Sequence, residues 1–199
     1  MAKRAPLRSR FSMLAIVVAL GGCQASERGT TVIPNVTVSA DAPGWQRHDG
    51  QLWFAKHPFS GRVYECTAGG DTLFSGTYLE GKAEGLHRHW YTSGQLKEER
   101  QYHNGWQEGE QRGWHESGKR AFVYQFVQDV YEGRRNEWFA NGQPALAGTY
   151  HNGQENGPQR QWFNDGTLKV NYEARNGRNY GFTGVKNCAT IWDSIRVSH

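Results

Sequence analysis

Hydrophobic and polar residues alternate along most of the chain in short runs broken by glycine. Leu168, Val170 and Tyr172 fall on one side of such a run, and Thr167, Lys169 and Asn171 on the other. This is the period-two pattern of a half-buried strand. The pairs Asn104-Gly105, Asn141-Gly142, Asn152-Gly153 and Asp165-Gly166 separate the runs. Asn-Gly and Asp-Gly favour tight hairpins because both residues tolerate positive φ. No stretch of the body carries a helical period with caps.

The alternation is itself periodic. Gly61, Gly85, Gly109, Gly133, Gly157 and Gly181 are 24 residues apart. Five positions after four of these glycines stand Trp90, Trp114, Trp138 and Trp162, with Cys66 in that place in the first unit. Nine positions on come Gly70, Gly94, Gly118, Gly142 and Gly166. Position 17 holds Tyr78, Tyr102, Phe126 and Tyr150, then Ala174, and position 20 holds Gly81, Gly105, Gly153 and Gly177, with Asp129 as the exception. Self-similarity at a fixed period marks a repeat architecture, and each unit predicts two short strands. The expected fold is all-β: an elongated single-layer antiparallel β-meander of 24-residue hairpin repeats over 61–181, each contacting mainly its neighbours. The four tryptophans are expected to stack along one face and build a thin core. Tyr91, His115, Phe139 and Phe163 follow them at position six, facing oppositely, and are the candidate contact residues. Residues 45–60, through Leu52, Trp53 and Phe54, are expected to supply an N-terminal capping strand. Residues 182–199, with Ile191, Trp192, Ile195 and Val197, are expected to cap the other end.

The N-terminus adds a second kind of information. Lys3, Arg4, Arg8 and Arg10 precede an apolar run from Phe11 to Leu20 broken only by Ser12, and Gly21 and Gly22 follow. A basic start, a short apolar core and small residues describe a secretory signal over 1–22. Ten apolar residues make a helix of about 15 Å, half of a ~30 Å hydrocarbon core, so this run is no membrane span. Leu20-Gly21-Gly22-Cys23 resembles the bacterial lipobox. That resemblance implies an acyl anchor on Cys23 and, with Gln24 next, sorting to the outer membrane, facing the periplasm. Small and polar residues dominate 23–44, as expected of a flexible tether between lipid and body. The formal charge of +4 belongs to the signal: without residues 1–22, 19 basic side chains face 19 acidic ones. A neutral body gives no general electrostatic case for nucleic acid.

Candidate chemistry is sparse. His87 and His89 lie two apart on a strand, on one face about 7 Å apart, and with His103 or His115 nearby could bind a transition metal. In the open sheet Cys66 and Cys188 lie about ten strand steps apart, roughly 48 Å, so two separate thiols are favoured. Glu84, Glu108 and Glu132 recur once per unit and read as turn residues facing Arg88 and Arg112. No nucleophile elbow, His-Glu-x-x-His pair, phosphate loop or Cys-x-x-Cys occurs. The expectation is a non-enzymatic protein without a cofactor.

The Glu-Gly pairs at 84–85, 108–109 and 132–133, the tryptophans and the second glycines resemble the MORN-repeat family, in the bacterial variant often labelled YwqK-type antitoxins. Trp138-Phe139-Ala140-Asn141-Gly142 and Gly148-Thr149-Tyr150-His151-Asn152-Gly153 have the family's look, and the resemblance covers about 59–181. It implies a MORN-type repeat sheet and a scaffold that engages an envelope protein. The label also implies an antitoxin, which the export signal opposes. Anionic-lipid binding, proposed for some arrays of this kind, would call for a basic face, and a metal or thiol site at His87, His89 or Cys188 is a further alternative.

Overall fold

The computed structural model describes residues 32–184. Cys23, Cys188 and the expected C-terminal cap beyond residue 184 lie outside them. Sixteen strands are present and, among the described residues, no helix. They are β1 (Thr37–Ser39), β2 (Trp45–His48), β3 (Gln51–Phe54), β4 (His57–Pro58), β5 (Gly61–Cys66), β6 (Thr72–Leu79), β7 (Lys82–Trp90) and β8 (Leu96–His103). There follow β9 (Trp106–Gln107), β10 (Gly109–Trp114), β11 (Arg120–Val127), β12 (Val130–Trp138), β13 (Pro144–His151), β14 (Gln154–Trp162), β15 (Leu168–Arg175) and β16 (Arg178–Phe182). From β5 onward the strands pair antiparallel in chain order, with β9 and β10 both pairing with β8, giving one long β-meander of sequential hairpins. The 24-residue period of the sequence is the period of this sheet.

Two turns alternate along it. At one end of the strands Glu80-Gly81, Asn104-Gly105, Gln128-Asp129, Asn152-Gly153 and Asn176-Gly177 all take positive φ at both residues, the two-residue turn whose twist matches its strands. At the other end the N–H of Gly94 donates to Tyr91 O and the N–H of Tyr91 to Gln95 O. The same pair of bonds recurs at His115, Phe139 and Phe163.

The Glu-Gly pairs are not turns. Gly85, Gly109 and Gly133 take φ of 71°, 74° and 90° inside or at the start of strands, where the ladder slips by two residues. Each is a bulge that bends its strand. The preceding glutamate reaches to the neighbouring hairpin: Glu84 accepts from the Asn104 N–H, Glu108 from Gln128 and Glu132 from Asn152, at 2.7–3.0 Å. Arg88 and Arg112, expected as their partners, pair instead with Glu99 and Glu110. Ser60 Oγ does the glutamate's work in the first unit, accepting from the Glu80 N–H.

The N-terminal cover also differs from expectation. Leu52–Phe54 does not extend the main sheet but belongs to a separate three-stranded sheet, β2-β3-β4. The edge of β5 is covered by β1, which runs parallel to it, so residues 37–39 of the expected tether are part of the sheet. Leu52, Phe59 and Val63 form a buried cluster on which Val38, Trp45, Phe54, Phe74 and Tyr78 pack. The two sheets join at Gly81, whose carbonyl accepts from the Leu52 N–H and whose N–H donates to Phe59 O. A β-carbon on Gly81 would lie 2.9 Å from Leu52 O, and φ there is +79°. Gly81→Ala is therefore expected to cost about 1–3 kcal/mol. Limited proteolysis should then cut within residues 37–58 before the array; equal protection of both parts would contradict the coupling.

Candidate functional site

The side chains facing inward at each bulge are polar. Position two is Val63 in the first unit, whose ladder has no slip there, and then His87, Gln111, Arg135 and Gln159. His87, Gln111 and Gln159 are buried, and Gln111 is only 1% exposed. The bulge pulls backbone groups out of the ladder, and these side chains reach them. Gln111 Oε1 accepts from the Gln101 N–H while its amide donates to Gln101 O and Glu108 O. Gln159 donates to Thr149 O, and His87 Nε2–H donates to Thr77 O at 2.7 Å. Hydropathy does not mark this column, but the 24-residue recurrence of His/Gln after the bulge glycine does.

Rings line the same inner face. Tyr78 and Tyr102 flank the His87 ring at centroid distances of 5.0 and 4.7 Å. Further along, Phe122, Tyr124, Phe126, Tyr131 and Tyr150 form a chain of ring contacts from 4.4 to 6.4 Å. The Arg135 guanidinium lies over Tyr124, Tyr131 and Tyr150 and is bound by the Glu137 carboxylate at 2.7 Å. Burial opposes its charge, but the bonds to Glu137 outweigh it and raise the pKa. The Tyr124 hydroxyl donates to Glu137, and burial followed by that carboxylate pushes its pKa up. Tyr172 donates to Glu155 at 2.7 Å, and burial and this bond raise it to about 12. These hydroxyls are fixed donors at neutral pH.

The residues singled out from the sequence fall elsewhere. Trp90, Trp114, Trp138 and Trp162 end their strands half-buried, and none belongs to the buried core. The inner column is made instead by positions two and 17, because the bulge after the position-zero glycine turns those side chains inward. Tyr91, His115, Phe139 and Phe163 open the second kind of turn. Tyr91 donates to Trp114 O and His115 Nε2–H to Trp138 O, each tying one unit to the next. Phe163 is 51% exposed. His89 packs on Phe74 with Nε2 3.8 Å from Glu98. His103 Nδ1–H donates to Glu84.

Residues 83–104 match the MORN repeat variant. The MORN match runs from β7 through the Tyr91 turn to the end of β8, one unit of the array, and the other units follow it at the same period. The chain as a whole has no match among curated proteins.

Burial holds the His87 imidazole below its usual pKa, and the bond to Thr77 only partly restores it. A base depressed by folding binds its proton more readily in the unfolded chain, so stability falls as pH drops below about 6.5. His87→Gln, which installs the residue of units two apart along the column, is expected to keep the Thr77 bond and flatten that dependence. Melting temperatures between about pH 7 and 5 check this, and an unchanged acid slope would refute it.

Proposed function

We propose that the protein is a lipid-anchored MORN-type repeat scaffold that binds a partner protein at the bacterial cell envelope. The observation that carries this reading is the strip of contiguous rings at Tyr124, Tyr131 and Tyr150 under the Arg135 guanidinium. Tyrosine and arginine are the side chains that most often dominate interface energies. Here Glu137 already fixes the arginine and Tyr124, so little side-chain freedom remains to be lost on binding. The lipobox-like Leu20–Cys23 supports the anchor, and the MORN match over 83–104 supports the repeat scaffold.

A photo-crosslinking residue at position 150 and another at 163, in the full-length protein in its native envelope, test the reading and locate the surface. Capture of one reproducible protein from position 150, lost in Arg135→Ala, is the expected result. Capture from position 163 alone would move the interface to the turn row of Phe139 and Phe163. Bulk envelope proteins and lipid from both positions would overturn the scaffold reading.

A further inference from the structure

The inner face carries a second feature, at the N-terminal end of the array. A cleft of about 490 Å³ lies between the β2–β3 hairpin and the two-residue turns of the first units. Its volume falls in the range of small-ligand sites. The rings of Tyr78, His87 and Tyr102 line it, with His87 held neutral by burial. Arg47 and Asp49 contribute from the β2–β3 hairpin, Trp106 from β9 and Asp129 from the turn between β11 and β12.

Two of these residues break the repeat and a third comes from outside it. Position 21 is Lys82, Trp106, Val130, Gln154 and Arg178 in successive units, so an aromatic stands there only beside the cleft. Trp106 is nevertheless 51% exposed, on a strand of two residues. Position 20 is Asp129 in the third unit and glycine in the other four, and Asp129 takes φ of +63° without glycine's freedom. One of its carboxylate oxygens accepts from the Gln107 N–H. Arg47 is supplied from outside the array and is close enough to Tyr78 to lower the pKa that burial raises.

The charges of the lining balance: Arg47 and Lys82 against Asp49 and Asp129. None of the four takes part in an ion pair among the described residues, although Lys82 donates to Asn104. A charged ligand would meet groups of its own sign at short range. A neutral ligand covered with hydroxyls would meet donors and acceptors in equal supply, because each hydroxyl both donates and accepts. The half-exposed indole offers a flat apolar surface to the C–H face of a sugar ring, a placement that adds buried area without a charge. We propose that this cleft is a binding site for a neutral saccharide, stacked on Trp106 and hydrogen-bonded by Asp129, Arg47 and Asn104. Its residues are separate from the strip at Tyr124–Tyr150.

The test is titration of the full-length protein in detergent with maltose, cellobiose and N,N′-diacetylchitobiose, followed by calorimetry and saturation-transfer NMR. At least one disaccharide is expected to bind saturably with a dissociation constant of about 1 mM or lower. Trp106→Ala should weaken that binding at least about ten-fold, and Asp129→Gly likewise. Asp129→Gly installs the residue of the other units, so its melting temperature should not fall, which separates lost binding from lost folding. Trp106→Tyr should recover part of the affinity. Binding of none of the three sugars, binding that survives Trp106→Ala, or uptake of glycine betaine or lysine in their place would overturn the assignment.

Discussion

Replacing Gln111 with leucine is expected to destabilise the protein by about 3 kcal/mol, among the larger effects of a single substitution. Leucine fits the volume but makes no hydrogen bond. It would strand the Gln101 N–H, Gln101 O and Glu108 O at the bulge where β8 leaves β9 and meets β10. Unmade bonds to part-buried backbone cost more than made bonds contribute, and the side chain is 1% exposed, so water cannot substitute for it there. A melting temperature lower by about 6–12 °C should accompany the loss. Gln111→His, which copies His87 one unit earlier, should retain the bond to the carbonyl and lose less. Urea unfolding monitored on both variants decides the matter. A leucine variant within about 1 kcal/mol of the parent would show that the polar column is not what closes the bulges.

The second large effect is expected at Gly113, directly opposite Phe122 across the β10–β11 ladder. Its backbone is not in the left-handed region, so the expected strain there is side-chain crowding alone. A β-carbon on Gly113 would sit 2.1 Å from the Phe122 ring, which is itself stacked on Tyr124 at 4.5 Å and 14°. Gly113→Ala must push the ring off its neighbour, and overpacking of this kind costs about 1–3 kcal/mol. The displacement would travel along the ring chain toward Arg135 and Glu137. Phe122→Leu in the same chain should recover much of the loss, since a smaller side chain leaves room for the new methyl. A double variant no more stable than Gly113→Ala would exclude crowding as the cause.

The two-residue turns were legible because they are local, whereas Asn141-Gly142 and Asp165-Gly166, read the same way, take positive φ at the glycine alone and lie in the longer turns. Asn104-Gly105 and Asn152-Gly153 state their own backbone geometry, and the period carries that reading to Gln128-Asp129, which states nothing by itself. The Glu-Gly pairs were misread for an equally local reason. A glycine at positive φ serves a turn or a bulge alike, and only the cross-strand register at Gly85 and Gly133 separates the two. The same register turns position two inward, where hydropathy would never place glutamine. The 24-residue recurrence of the tryptophans predicts a core column, yet strand ends leave them half-buried while Tyr78, Tyr102, Phe126 and Tyr150 meet the column.

By itself, then, the chain's 24-residue alternation determined an all-β meander, the number of its units and the chemistry of its tight turns, since each depends on residues a few positions apart. Three things were decided only in three dimensions. The bulges chose which side chains face inward. The ring strip gathers Tyr124, Tyr131 and Tyr150 from three strands beneath Arg135. The cleft joins Arg47 and Asp49 to Asp129, some 80 residues away, because the β2–β3 hairpin hydrogen-bonds to Gly81 and not to the sheet edge. Long-range packing leaves no mark in a local pattern, and it is packing that turns a regular array into surfaces with distinct chemistry.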